Sequence, residues 1–565
     1  MKDCNGFLGV WVVHDMQETI NNVISDDSSY ASSERPKRRK SSLKNVDPVV
    51  IDVTNCRYEV VREQSRLRKW TTYENEERPD NEIEDHCNII WCDSGVTTER
   101  AVKLKRYQKI NHFPGMFNLA RKAPMGRNLS ILANEFPLEY EFFPQTFVLP
   151  GSWNEFRTYV ANGRGNRTFI IKPDAACQGR GIFLTRSADN VPQNEALVAQ
   201  RYLHKPLLIE GYKFDMRIYV VVTNVDPLRV FLFRDGLIRL CTEKYIEPRG
   251  SNLQNSFMHL TNYAINKSNE GFVQNSEASS DGTGSKRSLK WFYNWIEELH
   301  GAQATQTLQD GITDIFCKAL VAVNPLLKHS YKSSIKHSST NDLNSCCFEI
   351  LGFDIMVDQN LKPWLIETNH HPSLSCDSPL DLAIKSELIK ATLSLINVSP
   401  SDKREDQMRL RLRSQNRLYS NKKDDSGEQK VAALSEKRYQ CQIKREDKLL
   451  RQGIFKRIYP CDNPVISQKY SNFLSTAQQI FDNKTAKHPP VVEAIKKNIA
   501  PTNNAPSKPT NAPTKIGLQK KTYLPKKVET LPKKLNPPPK SSNQETKFEI
   551  HSSIKKQNIV FPDIN

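Results

Sequence analysis

The sequence predicts a mixed α/β (α+β) fold, and three observations carry that reading. Between residues 146 and 240, apolar, β-branched or aromatic runs are punctuated by Gly, Asp and Asn, the pattern of short strands and turns. Residues 289–323 place Trp291, Trp295, Ile296 and Leu299 at helical spacing, a stripe expected to face the core. Residues 348–357 and 362–367 read as two strands around the polar turn Asp358-Gln359-Asn360, followed by an amphipathic helix over 380–396.

Taken in order, residues 1–84 are polar and mixed, and read as a flexible segment with a solvated basic run at 37–40. N-I-I-W-C from Asn88 reads as a short buried strand. Residues 103–132 read as helical in parts, with turns at Pro114-Gly115 and around Pro124. The middle strands are T-F-V-L-P from Thr146, T-F-I-I-K-P from Thr168, G-I-F-L-T from Gly181, M-R-I-Y-V-V-V-T from Met216 and R-V-F-L-F-R from Arg229. H-L-T-N-Y-A-I-N-K at 259–267 looks like a strand interrupted by polar groups, and 274–287 like a surface loop. Residues 401–460 alternate Lys and Arg with apolar residues, as basic amphipathic helices would. The end of the chain is rich in Pro, Lys and Asn and reads as disordered.

Charge divides the chain. Of a net +18, residues 401–565 hold 34 Lys+Arg against 16 Asp+Glu, leaving 47 of each sign in residues 1–400. A neutral globular part joined to a cationic tail implies a polyanionic partner. The 12 cysteines show neither paired nor zinc-finger spacing, even at Cys346-Cys347 or around His86, Cys87 and Cys92, and read as reduced thiols of an intracellular protein. The apolar stretch at 7–13 is too short to span a bilayer, so no membrane segment or signal peptide is expected. No nucleic-acid recognition module accompanies the basic tail.

The chemistry begins at Asp354 in L-G-F-D, and at Glu367 and Asn369 in L-I-E-T-N. Glu367 and Asn369 are two apart, on one face of an extended segment, and the hairpin carries Asp354 toward them. Such hard oxygen donors in an apolar setting call for a cation, and suit Mg²⁺. Lys172 ends a strand where an ammonium could reach phosphate oxygens, and Gly179 and Gly181 would let backbone N–H groups approach them. Lys213, Phe214, Asp215 and Arg217 follow on the next strand.

In this order, strand-Lys, Gly-rich loop, Q-R-Y-L at 200–203, K-F-D-M-R, H-L-T-N-Y and D…E-T-N-H resemble the ATP-grasp fold and, more closely, the tubulin tyrosine ligase-like family, from about residue 85 to 396. The resemblance implies an N-terminal domain at 85–148, an ATP-grasp catalytic region at 149–396 and a cationic helical microtubule-binding segment at 401–460; composition makes the remainder, 461–565, a disordered tail. It implies ATP held by Lys122, Lys172, the loop Gln178, Gly179, Arg180 and Gly181, adenine contacts at Gln200, Arg201, Tyr202 and Leu203, and Lys213, Phe214, Asp215, Thr261 and Asn262. Mg²⁺ falls to Asp354, Glu367 and Asn369, with Arg217 beside the transferring phosphate; Arg217, Lys172 and Glu367 are the implied catalytic groups. Arg239, Tyr263, Lys286 and Lys385 match positions that hold free L-glutamate. Gln178 and His370 resemble chain-elongating polyglutamylases rather than initiators, while E-T-N-H-H-P-S departs from the family's V-N-H-S-P-S at Thr368 and His371. The implied protein is a monomeric ligase adding glutamate to acidic tubulin tails in the cytoplasm and cytoskeleton, with the cilium, axoneme and basal body as further settings. A tubulin glycylase, a glutamylase of another acidic protein and a non-catalytic microtubule binder are the alternatives.

Overall fold

A computed structural model describes residues 48–74, 86–163, 165–176, 178–277, 282–335, 345–418 and 425–487. The apolar stretch at 7–13, the basic run at 37–40 and the end of the chain lie outside the described residues. Strands β1 (Val50–Asp52), β2 (Thr71–Tyr73), β3 (Ile89–Ile90) and β4 (Lys109–Ile110) form a parallel sheet in the order β2-β1-β3-β4, with helices α1 (Glu59–Leu67) and α2 (Thr98–Lys103) in the connections. Residues 48–74 are thus folded, which corrects the expectation of a flexible segment there. Val49, Ile51 and Val53 alternate into the core, but a three-residue strand amid polar sequence is too short for periodicity to reveal.

Helices α3 (Phe117–Ala120) and α4 (Lys122–Glu135) follow. Pro124 lies in the first turn of α4 instead of in a separate turn, because a proline there lacks only an N–H that the helix would not use. Next, β5 (Thr146–Val148), α5 (Trp153–Asn162), β6 (Phe169–Pro173), β7 (Phe183–Thr185) and β8 (Leu197–Arg201) build a small antiparallel sheet, β5-β8-β6-β7. Phe156 of α5 seals it against Phe147 and Phe169.

The large sheet begins with β9 (Leu208–Ile209), β10 (Tyr212–Val225) and β11 (Leu228–Lys244). Residues 259–267, expected as an interrupted strand, lie instead in two helical turns and their connection, α6 (Ser256–His259) and α7 (Tyr263–Asn266). Strand β12 (Lys286–Ser288), α8 (Leu289–His300), α9 (Ala302–Ser334), β13 (Glu349–Val357), β14 (Pro363–Asn369) and α10 (Pro379–Leu395) complete the order β12-β11-β10-β13-β14, all antiparallel. Alternation decides its packing. Phe214, Met216, Ile218, Val220 and Val222 face one core with Phe292, Ile312 and Phe316, while Tyr219 and Val221 face another with Leu388, Ile389 and Leu393. A strand covered on both sides must be apolar on both, hence the unbroken run I-Y-V-V-V. Within α8 the core face is Leu289, Phe292 and Ile296; Trp291 and Trp295 are half-buried and stack on each other, and Leu299 is 58% exposed. The expected stripe was rotated by about one residue.

After α10 come α11 (Asp402–Leu418), α12 (Asp425–Arg451), β15 (Phe455–Tyr459) and α13 (Pro464–Lys487). Strand β15 pairs with β11, so the cationic segment returns into the sheet. Glu446 of α12 is buried in an ion pair with Arg229 of β11. Helix α13 packs on α9 and buries Tyr470, Phe473 and Ala477, with Phe473 against Phe136 and Tyr140. The expectation of disorder is therefore corrected for residues 461–487: three residues anchored in a core outweigh the polar composition around them. Among the described residues no helix is long and apolar enough to cross a membrane.

Candidate active site

The face of the large sheet that buries Tyr219 and Val221 at one end turns polar at the other. Cross-strand register lines up Lys286 with Arg239, Arg239 with Asp215, Arg217 with Asp354, and Asp354 with Glu367. A row of charges thus crosses five strands. Arg217 grips Asp354 through two bonds, Nε to Oδ1 at 2.5 Å and Nη2 to Oδ2 at 3.0 Å. Arg239 does the same to Asp215, at 2.7 and 2.6 Å, and also reaches Asp354 Oδ2 at 2.9 Å. Burial alone would raise the Asp354 carboxyl, but the two guanidinium groups outweigh it and hold it at about 2. For Asp215 burial prevails over Arg239, and its carboxyl is raised.

Above this row the small sheet closes a cleft. Lys172, Gln200, Arg201, Tyr202, Leu203, Lys213, Asp215, Thr261, Asn262, Asp354 and Glu367 line it, all singled out from the sequence. Its apolar walls, Ile170, Ile182, Met356 and Ile366, were not; Ile170 shares a face of β6 with Lys172, a period-2 signal that could have found it. Lys172 Nζ donates to Gln200 Oε1 at 2.8 Å, and Lys213 Nζ to the Tyr202 hydroxyl at 3.0 Å and His259 O at 2.7 Å. Burial pulls both ammonium groups down to about 8. A slot with apolar walls and two lysines suits a flat ring bearing an anionic chain.

Phe214 is corrected: it points to the opposite face, fully buried against Phe292, and lines no part of the cleft. Strand alternation forces this once Lys213 and Asp215 face inward. Lys122 begins α4, donates to Ala176 O at 2.8 Å and lies 3.8 Å from Glu367 Oε1. Ala123 N donates to Asp174 Oδ1 at 2.8 Å, so the start of α4 holds the turn that leads to Gln178. Gln178, Gly179 and Gly181 all have positive φ, and a Cβ at Gly179 would come within 2.4 Å of Ile265 Cδ1. Only glycine meets both demands there. Arg180 lies in the same turn, exposed.

Glu367 and Asn369 leave β14 beside Asp354. With its amide turned to satisfy both neighbours, Asn369 donates to Glu367 Oε1 and accepts from Arg217 Nη2, each at 3.2 Å. Two carboxylates and an amide oxygen, with Asp354 held ionised, are a donor set that fits a hard divalent cation. At the β12 end, Lys286 and Lys385 both hold Asp381, at 2.6 and 2.7 Å, and Lys286 lies over the Tyr263 ring at 3.8 Å. Asp381 was missed by sequence reasoning; its signal was Ser378-x-x-Asp381, a helix-start pattern, with Lys385 four residues on. His370 lies outside the cleft, near His112 and Glu349.

The profile of the tubulin-tyrosine ligase family matches residues 100–407, more than half of the chain. The chain belongs to the tubulin-tyrosine ligase family. Within it, the chain is 40% identical over 440 residues to the tubulin polyglutamylase ttll6 of Danio rerio, covering 77% of this chain and 53% of that one. It is 38% identical over 477 residues to the tubulin polyglutamylase TTLL13 of Homo sapiens (82% and 53%), and 36% over 481 residues to the tubulin polyglutamylase TTLL7 of Homo sapiens (81% and 52%). This family member spans about half the length of the curated relatives it matches.

Proposed function

We propose that this chain is an ATP-dependent amino-acid ligase with an ATP-grasp core, which adds glutamate to acidic tails of tubulin and elongates existing side chains. The observation that carries the reading is the charge row from Lys286 to Glu367 beneath the cleft. The names of these relatives, tubulin polyglutamylases, support tubulin as the acceptor and glutamate as the amino acid.

The adenine lies between the apolar walls, along Gln200–Leu203, and Lys172 and Lys213 meet the phosphate chain. An acceptor carboxylate oxygen attacks the γ-phosphorus, the bond to ADP breaks, and an acyl phosphate forms. Asp354, Glu367 and Asn369 would hold Mg²⁺, which supplies charge neutralisation for the transferring phosphoryl group. Arg217, fixed by Asp354, aims its guanidinium at the same charge, and Lys122 ties the glycine turn to the carboxylates. The amine of free glutamate then attacks the acyl carbon, an amide bond forms, a proton leaves the nitrogen and inorganic phosphate departs. Lys286, Lys385, Arg239 and Tyr263 form the amino-acid end. Two lysines on one aspartate leave positive charge for a second carboxylate, which favours glutamate over glycine. No nucleophilic side chain is needed, since positioning and electrostatics do the work. The exposed face of α12 docks the acidic microtubule lattice, which sets the cytoskeleton as the place of action.

The test is mass spectrometry of microtubules incubated with the full chain, Mg-ATP and equimolar glutamate and glycine, on unmodified and pre-glutamylated tubulin. Glutamate added mainly to pre-glutamylated tails is the expected result. Glycine addition, or none, overturns the assignment.

A further inference from the structure

Apart from the charge row, a second cluster of chemistry-bearing side chains bridges the N-terminal sheet and the large sheet. His112 follows β4, Glu349 opens β13, and His370 and His371 follow β14. One ring nitrogen of each histidine lies within 4.8 Å of the others. The His370 and His371 rings are 3.7 Å apart, and His371 lies 4.5 Å from His112.

We propose that His112, His370 and His371 form a binding site for a borderline divalent transition ion such as Zn²⁺, with Glu349 as the carboxylate that orients the rings. Glu349 is fully buried, its Oε1 is 3.1 Å from His112 Nδ1 and 3.6 Å from His370 Nδ1, and its Oε2 accepts from Phe113 N at 2.9 Å. A carboxylate behind a ligating histidine fixes its tautomer and raises its basicity. His112 Nε2 also faces Cys92 O at 2.9 Å, so binding requires that ring to exchange one of its two partners for the ion.

A cavity adjoins the cluster, lined also by Trp91, Asp93 and Asn111. Burial grades from His112, inside, to His371, exposed, which provides an entry path. Imidazole nitrogens select Zn²⁺ and its neighbours over Mg²⁺, which prefers oxygen. The site is therefore distinct in chemistry from the Asp354–Glu367–Asn369 set, although His370 directly follows Asn369. A bound ion would tie the segment after β14 to the N-terminal sheet.

The experiment titrates the full chain, freed of metal by a chelator, with Co²⁺ as a visible probe and then with Zn²⁺. The expected result is one equivalent of Co²⁺ with the visible absorption of a nitrogen-ligated ion, no thiolate charge-transfer band, displacement by Zn²⁺ but not by excess Mg²⁺, and a metal-dependent rise in Tm. His371→Ser, at an exposed position, should keep the Tm of the metal-free protein and lose this uptake. Glu349→Gln should weaken it by about 10–100-fold. Equal uptake by the parent chain and His371→Ser, or no nitrogen-ligated Co²⁺ in the parent chain, overturns the proposal. Neither variant alters Asp354, Glu367 or Asn369, so neither outcome tests the groups assigned to phosphoryl transfer.

Discussion

Asp354 and Glu367 stand directly opposite each other on β13 and β14, yet only Asp354 is clamped by arginines. Glu367 meets Lys122 at 3.8 Å and keeps 22% of its side chain exposed to the cleft. Two facing carboxylates with a single firm clamp leave room for a cation's charge. Glu367→Gln, which keeps the shape and removes the charge, should cut ligation by at least about a hundredfold. Co-sedimentation with microtubules should be unchanged. Retained ligation would refute the metal assignment.

Arg239 is the shared partner of Asp215 and Asp354; both carboxylates are buried, and the Arg239 side chain is only 12% exposed. Arg239→Met would leave two neighbouring carboxylates with less positive charge than they need. Removing one partner from such a network should cost about 3–5 kcal/mol, read as a fall in the urea midpoint at unchanged slope. Arg239→Lys should recover only part, because an ammonium cannot grip one carboxylate with two parallel bonds while reaching the next.

Gln178 is exposed and already in the left-handed region, with φ +61°. Gln178→Arg adds reach and charge without a new backbone demand, so the Tm should hold. The product pattern should shift toward initiated branches on unmodified tubulin. An unaltered pattern would count against the elongation assignment.

The cationic segment is anchored by the buried Arg229–Glu446 pair, which fixes which face of α12 looks outward. Lys444, Arg445 and Lys448 are exposed, whereas Arg409 of α11 is buried and cannot meet a polyanion directly. Replacing the three exposed residues with Gln should weaken microtubule binding several-fold at low ionic strength and much less at high salt, since exposed charges are screened. Equal loss at both salt levels would point to packing instead.

Much of the cleft was legible before any coordinates. Lys213, Asp215 and Arg217 alternate along one strand, as do Glu367 and Asn369, and alternation alone puts each set on one face. The same rule, applied strictly, would have removed Phe214. What was not legible was which face met which: Asp381 under two lysines, Arg239 between two carboxylates, Glu349 behind two histidines, and β15 and α13 returning to the core after a polar stretch.

The sequence by itself determined the strand and helix periods, the charge split near residue 400 and the residue types of the cleft, because all of these depend on neighbours within a few positions along the chain. The tertiary structure alone decided the charge state and pairing of those residues. A buried carboxylate or ammonium answers to whatever long-range register brings within a few ångströms of it, and in the low dielectric of the interior that neighbour outweighs everything local.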